Sequence, residues 1–215
     1  MPVTHATLVC AHAGCEGTPP DSLDSIRAGI DAGADVVELD LRFAPGGEPV
    51  LSHNRFRDGT RLVLLRSALE VLAAHPRVGI NLDVKEPDGL GRLRDLLDAL
   101  RPPNPLYCTG LRPRQTETLR RECPRVAYTV DALPWSFLLP GARVSALARL
   151  QSRGAMALNL DYRRINAHVV SAASAIGLPV HAWTVDAPHA MRRMVAIGVS
   201  SITTNRVALL RAILG

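Results

Sequence analysis

A chain of 215 residues that is 47% hydrophobic can bury one sizeable core and is short for two. Only 4% of it is aromatic, so Ala, Val, Leu and Ile must build that core. Its formal charge of +5 is spread over the chain without an aromatic-interleaved basic tract, which argues against a nucleic-acid surface and favours a small anionic partner. No apolar run approaches the roughly 20 residues of a bilayer span, which excludes stable membrane insertion. The first 20 residues hold no Lys or Arg, so the expected setting is the cytoplasm. The four cysteines form no C-x-x-C pair and read as free thiols, with Cys10 and Cys108 as small core residues of strands. Nothing in the sequence marks an oligomer interface.

In chain order, short β-branched or apolar runs alternate with amphipathic stretches. A strand at 7–11 is followed by a helix at 22–32, a strand at 36–42 by a helix at 67–74, and a strand at 78–84 by a helix at 90–100. The pattern continues with a strand at 106–110 and a helix at 114–122, then a strand at 126–130 and a helix at 142–151. It closes with strands at 155–160, 180–185 and 200–204, each followed by a helix: 167–176, 188–197 and 206–214. Asp21 or Ser22, Asp88 and Asp186 stand where N-caps are expected, and Gly33, Gly154, Gly177 and Gly198 stand at helix ends. Most strands are apolar on both faces, as in a buried parallel sheet. Eight such units predict a single-domain (β/α)8 TIM barrel over residues 1–215, with an open doubly wound sheet as the alternative.

Polar residues gather at the C-terminal ends of the first three strands, the face on which barrel enzymes do their chemistry. His12 follows the first strand, Glu38 and Asp40 lie two apart on the second, and Asp83 and Lys85 lie two apart on the third. A spacing of two puts both members of each pair on one face of a strand. A short extended piece at 49–54 carries His53. Carboxylates aimed into a barrel need a cationic partner, and a hard divalent ion is one. Two histidines supply acid and base near neutral pH, and a lysine can hold a phosphoryl oxygen. Of the 25 basic residues, 24 are arginine; the one lysine is Lys85, where a compact ammonium has a use. Taken singly, each feature has a plain structural account: Glu-x-Asp pairs with arginine in many strands, and Asp83 and Lys85 can pair with each other. Their joint occurrence at consecutive strand ends is harder to explain that way.

These residues resemble the signature of the glycerophosphodiester phosphodiesterase family, within the PLC-like phosphodiesterase superfamily. The likeness is carried by Ala11-His12-Ala13-Gly14, Pro19-Pro20-Asp21-Ser22-Leu23, Gly33-Ala34-Asp35-Val36-Val37-Glu38-Leu39-Asp40 and Pro49-Val50-Leu51-Ser52-His53-Asn54. It continues in Asp83-Val84-Lys85, Trp183-Thr184-Val185-Asp186 and Gly198-Val199-Ser200-Ser201-Ile202-Thr203-Thr204-Asn205. The resemblance implies a barrel enzyme that cleaves glycerophosphodiesters to glycerol 3-phosphate and an alcohol. It implies that Glu38, Asp40 and Asp83 hold Mg2+ or Ca2+, that His12 and His53 are the acid–base pair, that Lys85 holds a phosphate oxygen, and that Trp183 walls the glycerol pocket.

The sequence also departs from that signature. Ala13 stands where the family has Arg, Pro20 where it has Glu, and Asn54 where it has an Asp expected to orient the second histidine. Asp83 is a methylene shorter than the family's Glu, and Asn205-Arg206-Val207 replaces Asp-Arg-Pro. Only 29 residues separate His53 from Asp83, so the cap insertion of the family is expected to be reduced. The expected function is metal-dependent hydrolysis of a small-molecule phosphodiester. The alternatives are a degenerate barrel that binds a phosphorylated ligand without turnover, a phospholipase D-like enzyme with another substrate, and a Schiff-base enzyme acting through Lys85.

Overall fold

The computed structural model describes residues 6–57, 59–112, 114–131 and 143–215, the side chains of Arg143 and Val144 excepted. Eight parallel strands close into a barrel: β1 (Leu8–Ala11), β2 (Val36–Phe43), β5 (Gly79–Val84), β6 (Leu106–Thr109), β7 (Ala127–Val130), β8 (Ala157–Asp161), β9 (Val180–Trp183) and β10 (Ser201–Thr204). Closure is made by β1, which pairs with β10 on one side and β2 on the other. The predicted TIM barrel is therefore the fold, and the open-sheet alternative falls.

The helices α1 (Leu23–Asp31), α2 (Leu65–Ala73), α3 (Leu90–Leu100), α4 (Thr116–Glu122), α5 (Arg143–Ser152), α6 (Ala167–Ser174), α7 (Pro188–Ala196) and α8 (Val207–Leu214) follow the strands. The predicted start of the fifth helix at 142 lies outside the described residues. Each strand turns one face to the helices, and the main aliphatic core fills that outer layer with residues such as Ile26, Leu39, Leu69, Leu82, Leu158, Met191 and Ile202. A smaller apolar cluster, Cys10, Val36 and Tyr107, plugs the barrel interior. Above it the inward positions are polar and buried: Asn81, Thr109, Thr129, Asn159, His181 and Thr203. A barrel filled with such groups at one end is built to hold a polar ligand there. All four cysteines are free and buried.

Two local departures matter for the site. The extended piece at 49–54 forms β3 (Pro49–Leu51), which runs antiparallel to the upper part of β2 and pairs in turn with the two-residue β4 (Val63–Leu64). β2 has eight residues and β1 four, so β2 outruns its neighbour, and β3 takes the edge left open beyond Val37. The expected caps hold only in part. Ser22 caps α1 by accepting the Ser25 N–H at 3.1 Å, but α3 starts at Gly89 rather than Asp88 and α7 at Ala187 rather than Asp186, neither with a side-chain cap. Among the described residues no helix is long and apolar enough to cross a membrane.

Candidate active site

The parallel register of β2 and β5 sets Asp40 beside Asp83 and Glu38 beside Asn81. All point into the barrel because inward positions alternate along each strand. His12 follows β1, and the β2–β3 hairpin folds His53 back over the same mouth. The result is a cavity of about 380 Å³ lined by His12, Glu38, His53, Asp83, Lys85 and Trp183, with Asn81, Thr109, Gly110, Asp131, Asn159, Thr184 and Thr203 around it. Of the seven residues singled out from the sequence, six line this cavity; the seventh, Asp40, is 2% exposed and lies beneath His53 and Lys85.

Glu38, Asp40 and Asp83 each offer a carboxylate oxygen within 4.8 Å of the others. Among the described residues Lys85 is the one lysine or arginine at salt-bridge distance from them, with its ammonium 2.5 Å from Asp40 Oδ1 and 2.5 Å from Asp83 Oδ2. Burial drives the Glu38 carboxyl well above its ordinary range, and repulsion from Asp40 and Asp83 adds to this; the Ala13 N–H at 2.9 Å and Lys85 offset it only in part. Burial also pushes Asp40 upward, but Lys85 and His53 outweigh it and hold that carboxyl below the usual range. For Lys85, burial is outweighed by Asp83 and Asp40, so the ammonium is stabilised. One lysine does not neutralise three carboxylates. Asp21 adds a fourth beside them: its Oδ2 accepts the His53 backbone N–H at 2.9 Å, and its Oδ1 is buried without a hydrogen-bond partner. An all-oxygen cluster open to a polar cavity, in which burial and mutual repulsion disfavour the charge of Glu38 for want of a further cation, fits a hard divalent ion.

Both histidines are tethered through Nδ1. His53 Nδ1 lies 3.2 Å from Asp40 Oδ1. The family Asp absent at Asn54 therefore leaves His53 with Asp40 as its partner, rather than with none. His12 Nδ1 lies 3.0 Å from Asn205 Oδ1. Asn205 is itself fixed by Asp186, which accepts its backbone N–H and its Nδ2 at 2.8 Å each, and the Thr204 hydroxyl at 3.0 Å. With the amide nitrogen committed to Asp186, Asn205 turns its oxygen to His12, so His12 donates from Nδ1 and leaves Nε2 untethered. Asp186, expected as a helix cap, is instead the anchor of this chain.

Three residues escaped the sequence reading. Asn205 and Asp186 fell in motifs but were given no part in the chemistry. Asp131, after β7, lines the cavity, accepts the Gly110 N–H and Asn159 Nδ2 at 3.0 Å each, and accepts the Thr129 hydroxyl at 3.3 Å. Burial pushes its carboxyl up to about 6 despite these bonds. Its position at a strand end was the available signal. Trp183 stands at the rim, 37% exposed.

Residues 92–209 match the model of the glycerophosphoryl diester phosphodiesterase family. A Mycobacterium tuberculosis protein named "Probable glycerophosphodiester phosphodiesterase 2" is 25% identical over 96% of this chain and 90% of its own length. Arabidopsis thaliana glycerophosphodiester phosphodiesterase GDPD4 is 26% identical over 94% of this chain and 71% of its own. Among solved structures, a phosphodiesterase from Oleispira antarctica in complex with the product sn-glycerol-3-phosphate superposes with a TM-score of 0.82 at 19% identity, covering 96% of each chain. A glycerophosphodiester phosphodiesterase from Parabacteroides distasonis gives 0.81 at 19% identity, covering 98% of each. At such identities the structural likeness speaks for the barrel alone; the match over more than half of the sequence goes further, and the chain belongs to the glycerophosphoryl diester phosphodiesterase family, whose named members are phosphoric diester hydrolases.

Proposed function

We propose that the protein is a metal-dependent phosphodiester hydrolase of the cytoplasm that cleaves glycerophosphodiesters to glycerol 3-phosphate and an alcohol. The observation that carries this reading is the buried Glu38–Asp40–Asp83 cluster sharing one cavity with two tethered histidines. The glycerol 3-phosphate bound to the Oleispira phosphodiesterase, a protein of the same fold, supports the substrate class. Glu38, Asp40 and Asp83 are assigned to a divalent cation, Mg2+ or Ca2+ by the hardness of their oxygens. Such an ion polarises a phosphoryl oxygen and offsets its charge in the transition state.

The chain's own groups do the rest. His12 Nε2, its lone pair turned free by the Asn205 tether, takes the proton of the attacking hydroxyl, the neighbouring hydroxyl of the glycerol unit. As the new P–O bond forms, the P–O bond to the other alcohol breaks, and His53 gives that alcohol a proton. The His53 side chain is 58% exposed, so it stands on the side where a leaving alcohol meets water. Water then opens the cyclic phosphate with the two histidines in exchanged roles, which yields glycerol 3-phosphate. Lys85 holds a phosphoryl oxygen, and Trp183 covers the glycerol carbons. Ala13 lacks the charged side chain of the family, but its backbone N–H still holds Glu38. The segment 52–62 between β3 and β4 contains no helix among its described residues, in keeping with a reduced cap.

Release of glycerol 3-phosphate from glycerophosphocholine, followed with Mg2+, Ca2+ or EDTA, tests the reading. Turnover is expected with metal, none with EDTA, and a loss of at least about 100-fold in His12→Ala and in Glu38→Ala. A second reading, ligand binding without turnover, is favoured by Ala13 and Pro20. Tight binding of glycerol 3-phosphate by folded protein that hydrolyses no diester would decide for it.

A further inference from the structure

One side of the cavity has a different chemistry. Asp131 and Asn159, joined by a 3.0 Å hydrogen bond, belong to its wall, and Asn81 and Thr109, joined by a 2.9 Å hydrogen bond, line the same cavity. Asn81, Thr109 and Asn159 are buried, and among the described residues no lysine or arginine is paired with Asp131. Asp131 Oδ2 is saturated by two donors, Gly110 N–H and Asn159 Nδ2, whereas among the described residues Oδ1 accepts a single longer bond, from Thr129. A carboxylate oxygen with spare acceptor capacity therefore stands beside amides in a polar wall. An ammonium head group offers donors only and leaves the amide donors of such a wall unmatched; an acyl chain matches nothing in it. A hydroxyl both donates and accepts, which suits a wall that mixes carboxylate, amide and threonine groups. The exposed His53 lies by the route of the departing alcohol, so the buried wall falls to the alcohol that stays on phosphorus.

We propose that Asp131, steadied by Asn159, is the specificity-determining residue for the retained alcohol, accepting on Oδ1 a terminal hydroxyl of a polyol. The proposal rests on the phosphodiesterase reading above. It fits a buried carboxyl whose Oδ1 has, among the described residues, one donor, at 3.3 Å.

Two substrates that differ only in this hydroxyl test it. Glycerophosphocholine and 2-hydroxypropyl phosphocholine both carry the secondary attacking hydroxyl and the same leaving alcohol, but only the first has the terminal one. Wild type is expected to prefer glycerophosphocholine by at least about tenfold in kcat/KM. Asp131→Ala is expected to bring that ratio near one, the loss on glycerophosphocholine exceeding that on 2-hydroxypropyl phosphocholine by about tenfold. Asp131→Asn can keep its oxygen on the Gly110 and Asn159 donors and turn its amide N–H to the Thr129 hydroxyl oxygen, so it guards against a folding defect of the alanine variant, and it lowers the ratio several-fold because the acceptor facing the substrate hydroxyl is lost. An equal fall on both substrates, or an unchanged ratio, overturns the proposal. Calorimetric binding of glycerol 3-phosphate against 2-hydroxypropyl phosphate repeats the comparison without chemistry. A preference for glycerol 3-phosphate lost in Asp131→Ala supports the assignment even in protein that turns over no diester, and a preference equal in both proteins overturns it.

Discussion

Gly110 illustrates how single residues hold this site. It follows β6 with φ +79°, and a Cβ there would overlap Asp83 Oδ1 and crowd the carbonyl of Val84. An alanine is strained in that backbone conformation and displaces a proposed metal ligand. Gly110→Ala should weaken Mg2+ or Ca2+ binding by about 10–100-fold in a calorimetric titration. An unchanged affinity would mean that Asp83 does not hold the ion. Asn205 acts through His12: Asn205→Ala removes the acceptor that fixes the Nδ1 proton. The expected result is a fall in kcat of at least about tenfold with KM little changed and a shifted pH profile. A rise in KM alone would instead place Asn205 in substrate binding. The identity of the acidic residues, the histidines and Lys85 could be read from the sequence because strand spacing puts them on one face. Their hydrogen-bond partners could not, since His12 and Asn205 are 193 positions apart and meet only because β10 closes the barrel beside β1.

Strand and helix lengths decide where these residues stand. α1 approaches β1 so closely at Gly29 that an added Cβ would lie 2.7 Å from Ala11 Cβ, which cannot swing away. Gly29→Ala should therefore destabilise the fold by about 1–3 kcal/mol in denaturant unfolding and disturb His12 one residue beyond the contact. Stability equal to wild type would show that α1 can shift outward freely. The alternation of strands and helices was legible from periodicity, and the one extended segment outside it was visible too. That segment's antiparallel pairing was not, because the partner edge is offered only by the excess length of β2 over β1. β4, at two residues, is shorter than any periodicity can reveal. The expected caps at Asp88 and Asp186 failed because a glycine starts α3 and because Asp186 is engaged by Thr204 and Asn205.

At the scale of the whole molecule, polar groups inside the barrel make stability depend on pH. Burial lowers the pKa of His181 from 6.5 to about 4, with its ring edge-on to Tyr107 at 5.9 Å. Between those values the unfolded chain binds a proton that the folded chain does not. The contribution is thus complete above 6.5 and lost as pH falls towards 4, by about 3 kcal/mol in total. Asp131 has the opposite sign. Its carboxyl, raised from 3.8 to about 6, contributes stability below 3.8 that is lost as pH rises through 6. Because the two partly cancel, the His181 share is best read as a difference: unfolding free energy should fall less between pH 7 and pH 4.5 in folded His181→Gln than in wild type. Parallel acid limbs in the two proteins would count against a neutral, buried imidazole.

The sequence alone determined the order of the elements, the faces on which the carboxylates lie and the family signature, since each depends on neighbours a few positions apart. The tertiary structure decided what those groups do to one another. Register brings Asp40 beside Asp83, so that one ammonium serves both; the hairpin gives His53 to Asp40; and closure gives His12 to Asn205 and sets Asp131 in the same cavity. Hydrogen bonds, burial and the charge balance of buried groups are set by contacts between distant strands, and local spacing does not encode them.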